Sequence, residues 1–207
     1  RLKKMSHNQL DLPAGGNDAG HEEEFSFELD ERIITALAGE CDPLETIKEF
    51  IQAVEKGSDR EAAARDIFET YGKEWMIKTL EFGEKYTDQT YEVLKEAAKK
   101  TGAIAFPHIP QRALEIAYTC TKGIRELPIV ENNPGRLAYK MVNCSTHKYL
   151  VEQCGRETAD MLPCRYACLK ACETLKKELG IMVDIVMEAS TPKDGFCQFS
   201  LSATPAS

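Results

Sequence analysis

The chain contains no run that approaches 18 consecutive apolar residues, roughly the least a bilayer-spanning helix needs, so the sequence predicts no membrane span. It also lacks an excess of positive charge. Lys and Arg number 26 against 34 Asp and Glu, a formal net charge of −8 at pH 7. Phosphate backbones select basic faces, which argues against nucleic acid as the main partner. Arg1-Leu2-Lys3-Lys4 is basic, but no apolar region follows it, so this start does not read as a signal peptide; Met5 reads as the natural start. No internal repeat is present. Closely spaced cysteine pairs are missing too: zinc sites and Fe–S runs commonly contain C-x2-C, and the shortest spacing here is C-x3-C. What the sequence does hold is cysteine itself. There are eight in 207 residues. Six of them, Cys144, Cys154, Cys164, Cys168, Cys172 and Cys197, fall in the C-terminal third.

Residues 1–24 have no apolar period and read as a flexible acidic tail, since such a segment cannot offset its ordering entropy by burial. Residues 25–122 read as a helical region. Asp42-Pro43 is an N-cap followed by proline at the first helical position, and Leu44, Ile47, Ile51 and Val54 keep helical spacing up to the stop at Lys56-Gly57. Ser58-Asp59 starts a second helix with Ile67, Phe68, Tyr71, Trp75 and Leu80. Thr87-Asp88 starts a third, with Tyr91, Leu94 and Ala98, and a shorter helix runs from about Gln111 to Cys120. Residues 123–203 read as an α+β, cysteine-rich region, the whole of 25–203 forming one compact domain. A strand over Ile124–Glu131, the turn Asn132-Asn133-Pro134-Gly135 and a strand over Arg136–Cys144 make a hairpin. Helices follow at about Thr146–Gln153 and Pro163–Leu179, then strands at Ile181–Ala189 and Phe196–Leu201 around the turn Thr191–Gly195. The fold class expected is therefore α+β. A helical N-terminal half packs on a four-stranded antiparallel sheet with β-hairpin, helices, β-hairpin order.

Three readings of the cysteines compete. Reduced cysteine is a small apolar group that is usually buried, and Cys41, Cys120, Cys154 and Cys172 read as packing. Metal ligation is the second reading, by Cys144, Cys164, Cys168 and Cys197 around zinc, iron or an Fe–S cluster. Cys164, Cys168 and Cys172 lie at i, i+4 and i+8 on one helical stripe, but the outer two are about 12 Å apart along the axis. The third reading is a catalytic thiol. Pro163-Cys164 places Cys164 in the first turn of a helix, where unpaired N–H groups favour a thiolate. Cys144, with Ser145 read as the N-cap of the next helix, has a weaker version of that setting. His147, Asp160, Glu188 and Asp194 are the nearby acid–base groups. A disulfide network is the weakest explanation without a secretion signal.

The order of these features is similar to that of a known family. A strand ends in Asn143-Cys144, a helix starts at Pro163-Cys164, a strand carries Glu188, and Lys193-Asp194-Gly195-Phe196-Cys197-Gln198-Phe199 closes the chain. Over roughly residues 40–202 this resembles the L-2-amino-thiazoline-4-carboxylic acid hydrolase-like family. More distantly it is similar to small-molecule-binding domains related to 4-vinyl reductases. The resemblance implies hydrolysis of a carbon–nitrogen bond in a cyclic amidine, with Cys144, Cys164, Cys197 and Glu188 at the matching positions. One departure stands out: the family's pattern has an acidic residue about three positions after the helix-start cysteine, where this chain reads Arg165-Tyr166-Ala167-Cys168. That points toward a changed substrate, or a metal or cofactor role.

The leading expectation is a cytoplasmic protein acting on a small molecule. Cys164 or Cys144 would be the nucleophile and His147 or Glu188 the proton carrier. The alternative is a non-catalytic accessory protein whose cysteine pocket holds a metal, a cluster or a small ligand. The helical half offers a surface for a second copy or a protein partner.

Overall fold

Aspartate caps and a proline define where the first helix begins. Asp42 Oδ1 accepts the Leu44 N–H at 2.9 Å, and Pro43 opens helix α1, Pro43–Glu55. Asp59 does the same for α2, Arg60–Lys85, accepting the Ala62 N–H at 2.8 Å. These are properties of a computed structural model that describes residues 39–86, 102–121 and 128–204, with isolated positions at 35, 36, 95, 98 and 99. The tail expected at 1–24, the helix start at Thr87-Asp88 with Tyr91 and Leu94, the residues from Ile124 to Leu127 and the side chain of Cys120 lie outside the described residues. Among the described residues no helix is long and apolar enough to cross a membrane.

The chain continues through α3, Gln111–Thr121, to strand β1, Ile129–Asn133, and strand β2, Arg136–Met141. Asn133 Oδ1 closes the hairpin between them, accepting the N–H groups of Gly135 and Arg136 at 3.0 and 2.9 Å. Helix α4 spans Ser145–Asp160 and α5 spans Arg165–Leu179, ended by Gly180 in the left-handed conformation. Strand β3, Val183–Ala189, the short helix α6, Thr191–Asp194, and strand β4, Cys197–Ala203, complete the chain. All pairings are antiparallel, and the strand order is β1-β2-β4-β3. The fold is thus the α+β arrangement expected, helices first and a four-stranded antiparallel sheet after them. Several boundaries differ: β2 ends at Met141 rather than Cys144, and α5 starts at Arg165, so Cys164 caps it instead of standing in its first turn. α4 runs on to Asp160 because Gly155, at φ 77° and ψ 165°, joins two helical segments across a kink where the sequence reads as a stop. The turn at 191–194 is one turn of helix.

Register decides which side chains meet. Leu137 lies opposite Leu201, Tyr139 opposite Phe199 and Met141 opposite Cys197, while Met187 pairs with Phe199 on the other side of β4. This inner face packs on the helical half through Leu137, Val183, Leu201, Phe106 and Ala113. A second cluster joins Ile47 and Phe50 of α1, Phe68 of α2, Leu150 of α4 and Ala167 of α5. Full burial of each large apolar side chain contributes about 1.5–3 kcal/mol. α2 and α5 approach unusually closely: a Cβ on Gly72 would lie 2.2 Å from the Ala167 carbonyl oxygen. Glycine is required there because backbone meets backbone, and the contact sets the height of α5 and of the cysteines at its start.

Candidate functional site

The two helix starts that follow β2 and α4 are built alike. Asn143 has φ 54° immediately before Cys144, and Leu162 has φ 54° two residues before Cys164. These two are the non-glycine residues with positive φ among the described residues. The left-handed conformation costs an L-residue about 1–2 kcal/mol, and such outliers concentrate where function demands a particular backbone. Each bend delivers a cysteine to a helix cap: Cys144 for α4 and Cys164 for α5. The sequence expectation of Ser145 as the cap of α4 is corrected by one residue, which puts His147 at the third helical position. Both residues therefore belong to the first turn of one helix, although the Cys144 thiol makes no capping hydrogen bond there.

Cys144, His147, Cys164, Cys168 and Cys197 all line one small cavity, closed by the apolar side chains of Met141, Leu162 and Met187. Its volume is about 10 Å³, room for about one water. Cys164 is buried, while Cys144, Cys168 and Cys197 are half-buried. The Sγ of Cys197 lies 3.2 Å from the hydroxyl of Thr191, which also lines the cavity. The Nε2 of His147 is buried, and among the described residues no hydrogen-bond partner reaches it. Burial holds the His147 pKa below the usual histidine value; Arg156 adds to the effect and Asp160 opposes it. The imidazole is therefore neutral at pH 7, able to accept a proton. Arg165 lines the cavity, but its guanidinium is held by the Glu61 carboxylate and by Met161, whose carbonyl oxygen accepts at 2.6 Å. The Tyr166 hydroxyl donates to the same Glu61.

Four candidate thiols and His147 are thus brought together; Glu188 is not, and the expectation that it serves the thiols is corrected. Strand alternation turns Met187 toward the cavity and Glu188 to the opposite face. There both carboxylate oxygens accept from Arg136 Nη2 at 2.7 Å, with Gln198 Nε2 at 3.0 Å and Ser200 Oγ at 2.8 Å. Those bonds, Ser200 first, hold its pKa below the ordinary carboxylate value. Asp194 is engaged locally, accepting the Ser190 N–H at 2.9 Å. The metal alternative meets the same test. Among the described residues no group of three or more His, Cys, Asp and Glu is arranged to hold a metal ion. Cys144, Cys164, Cys168 and Cys197 share a cavity without forming a ligand set for zinc or iron.

Cys41, Cys154 and Cys172 act as apolar filling. Cys154 Sγ donates to the Leu150 carbonyl at 2.9 Å, and burial raises its pKa. Burial, with Glu40 next in weight, pushes the Cys41 thiol up to about 11. Cys172 sits 3.9 Å from the Tyr139 hydroxyl. Sequence reasoning missed Asn143, Leu162 and Thr191. Asparagine is one of the few residues that tolerate a left-handed backbone, which was the available signal at Asn143; nothing in a leucine codon position announces Leu162. Comparison of the chain with protein-family models, curated proteins and solved structures gives no match in any of the three.

Proposed function

We propose that this cavity is the active centre of a cysteine-dependent hydrolase of carbon–nitrogen bonds in cyclic amidines, of the thiazoline-carboxylate type. The observation that supports it is the buried, unpartnered Nε2 of His147 on a cavity shared with the Cys144 thiol. Cys144 is the nucleophile in this reading because it is the more exposed of the two cap cysteines and starts the same helix as the base. His147 Nε2 takes the thiol proton as sulfur attacks the amidine carbon, then returns it to the departing nitrogen as the C–N bond breaks. Water releases the carbon from sulfur and regenerates the thiol. The N–H groups at the start of α4 favour an anionic group there, whether a substrate carboxylate or a developing charge, whereas those of Arg165, Tyr166 and Ala167 at the start of α5 are taken by the carbonyls of Leu162, Pro163 and Cys164. Small-molecule sites are commonly about 300 Å³ or more, so substrate binding includes a widening of the cavity. A thiol nucleophile suits a reducing, cytoplasmic setting, with a small molecule rather than nucleic acid as partner. The accessory metal-binding alternative has no grouping of ligands in its favour.

The test is turnover of 2-amino-thiazoline-4-carboxylate and a panel of related cyclic amidines by the reduced protein. Cys144→Ser lowers kcat by about 10³-fold or more if it is the nucleophile, and His147→Gln by about 10²-fold or more. Unchanged turnover in Cys144→Ser, or no turnover of any amidine by the wild-type chain, overturns the reading.

A further inference from the structure

The cavity has room for about one water, yet several thiols line it. An organic electrophile cannot enter without widening it. Hydrogen peroxide exceeds water by a single oxygen atom and needs little more space. The half-buried Cys144 gives such a molecule a sulfur to meet, and Cys164, Cys168 and Cys197 line the same space. Oxidation-sensitive cysteines are accessible, activated and commonly paired with a second thiol that resolves the first product. We propose that hydrogen peroxide is a substrate of this site, oxidising Cys144 to a sulfenic acid that a thiol across the cavity converts to a disulfide. The inference rests on the cavity that Cys144 and His147 share, used above, and does not require the amidine substrate.

The steps balance. The Cys144 proton passes to His147 Nε2 and the sulfur attacks one peroxide oxygen. The S–O bond forms, the O–O bond breaks, and the departing hydroxide takes the proton from His147 and leaves as water. The second thiol then attacks the Cys144 sulfur. The S–S bond forms, the S–O bond breaks, and the hydroxide released combines with the second thiol's proton as water. Two thiols are oxidised by two electrons in total, and one peroxide is reduced to two waters.

The experiment treats the reduced full chain with hydrogen peroxide in the presence of dimedone and quantifies each cysteine-containing peptide over time by mass spectrometry. Cys41 is the internal reference, buried and held as a thiol. The expected result is a dimedone adduct at Cys144 forming about tenfold or more faster than at Cys41, slowed about tenfold or more in His147→Gln. Without dimedone, a disulfide from Cys144 to Cys164, Cys168 or Cys197 is expected. Oxidation of Cys144 no faster than Cys41, or its conversion to sulfinic acid with no disulfide, overturns the proposal. Amidine turnover assayed on the same preparation separates the two readings. Adduct without turnover removes the hydrolase and keeps the peroxide chemistry; turnover without adduct does the reverse.

Discussion

A buried polar atom left without a hydrogen bond costs about 1–3 kcal/mol, and the Nε2 of His147 bears that cost beside the thiols. The same burial opposes its protonation, so its folded pKa lies below the unfolded value near 6.5. As pH falls, the unfolded chain binds the proton first. The contribution of His147 to stability is therefore complete above about pH 6.5 and is lost as pH falls through that value toward the folded pKa. His147→Gln removes this component. Urea denaturation of both proteins at pH 7.5 and 5.5 checks it: the wild-type chain should lose more stability over that interval than the variant. Equal losses would show that the ring nitrogen reaches solvent. At this scale the sequence was a fair guide to candidates and a poor one to selection. Cys144, Cys164, Cys168, Cys197 and His147 were all legible as candidates. Glu188 looked equivalent to them, because a strand's sequence does not say which alternate face holds the site when both neighbours of the acid are apolar.

Among the helices, the contact of α2 with α5 governs the site from a distance. Gly72 lies against the backbone of Ala167, three residues along from Cys164 and one before Cys168. Gly72→Ala must push the helices apart, because a backbone carbonyl cannot rotate away as a side chain can. Destabilisation of about 1–3 kcal/mol is expected, read from the urea midpoint, together with altered alkylation of Cys164 and Cys168. A variant as stable as wild type, with unchanged cysteine reactivity, would mean that the helices do not pack at this distance. Helix starts were legible where a capping side chain marks them: Asp42 and Asp59 accept the bonds their sequence positions suggest. The second half of α4 was not, because a glycine at positive φ such as Gly155 commonly ends a helix and joins two segments here.

Across the whole molecule the clusters connect. Tyr71 packs on both the Phe68 cluster and the Trp75 cluster, and Leu179 packs on both the Trp75 cluster and the sheet cluster. A core linked in this way unfolds as one unit. Trp75 is the single tryptophan of the chain and is buried, so its fluorescence reports the middle cluster alone, while far-ultraviolet circular dichroism reports every helix. The two urea transitions should share one midpoint. Separate midpoints would show that the helical half and the sheet unfold independently.

The sequence by itself determined the fold class, the helix caps, the hairpin turn at Asn133 and the set of thiols, because each depends on residues close together in the chain. The tertiary structure alone decided which thiols share a cavity, how small that cavity is, and that Glu188 belongs to the opposite face of the sheet with Arg136. Those outcomes depend on strand register, on the close approach at Gly72 and on the two left-handed bends before Cys144 and Cys164, none of which has a local signature strong enough to read in advance.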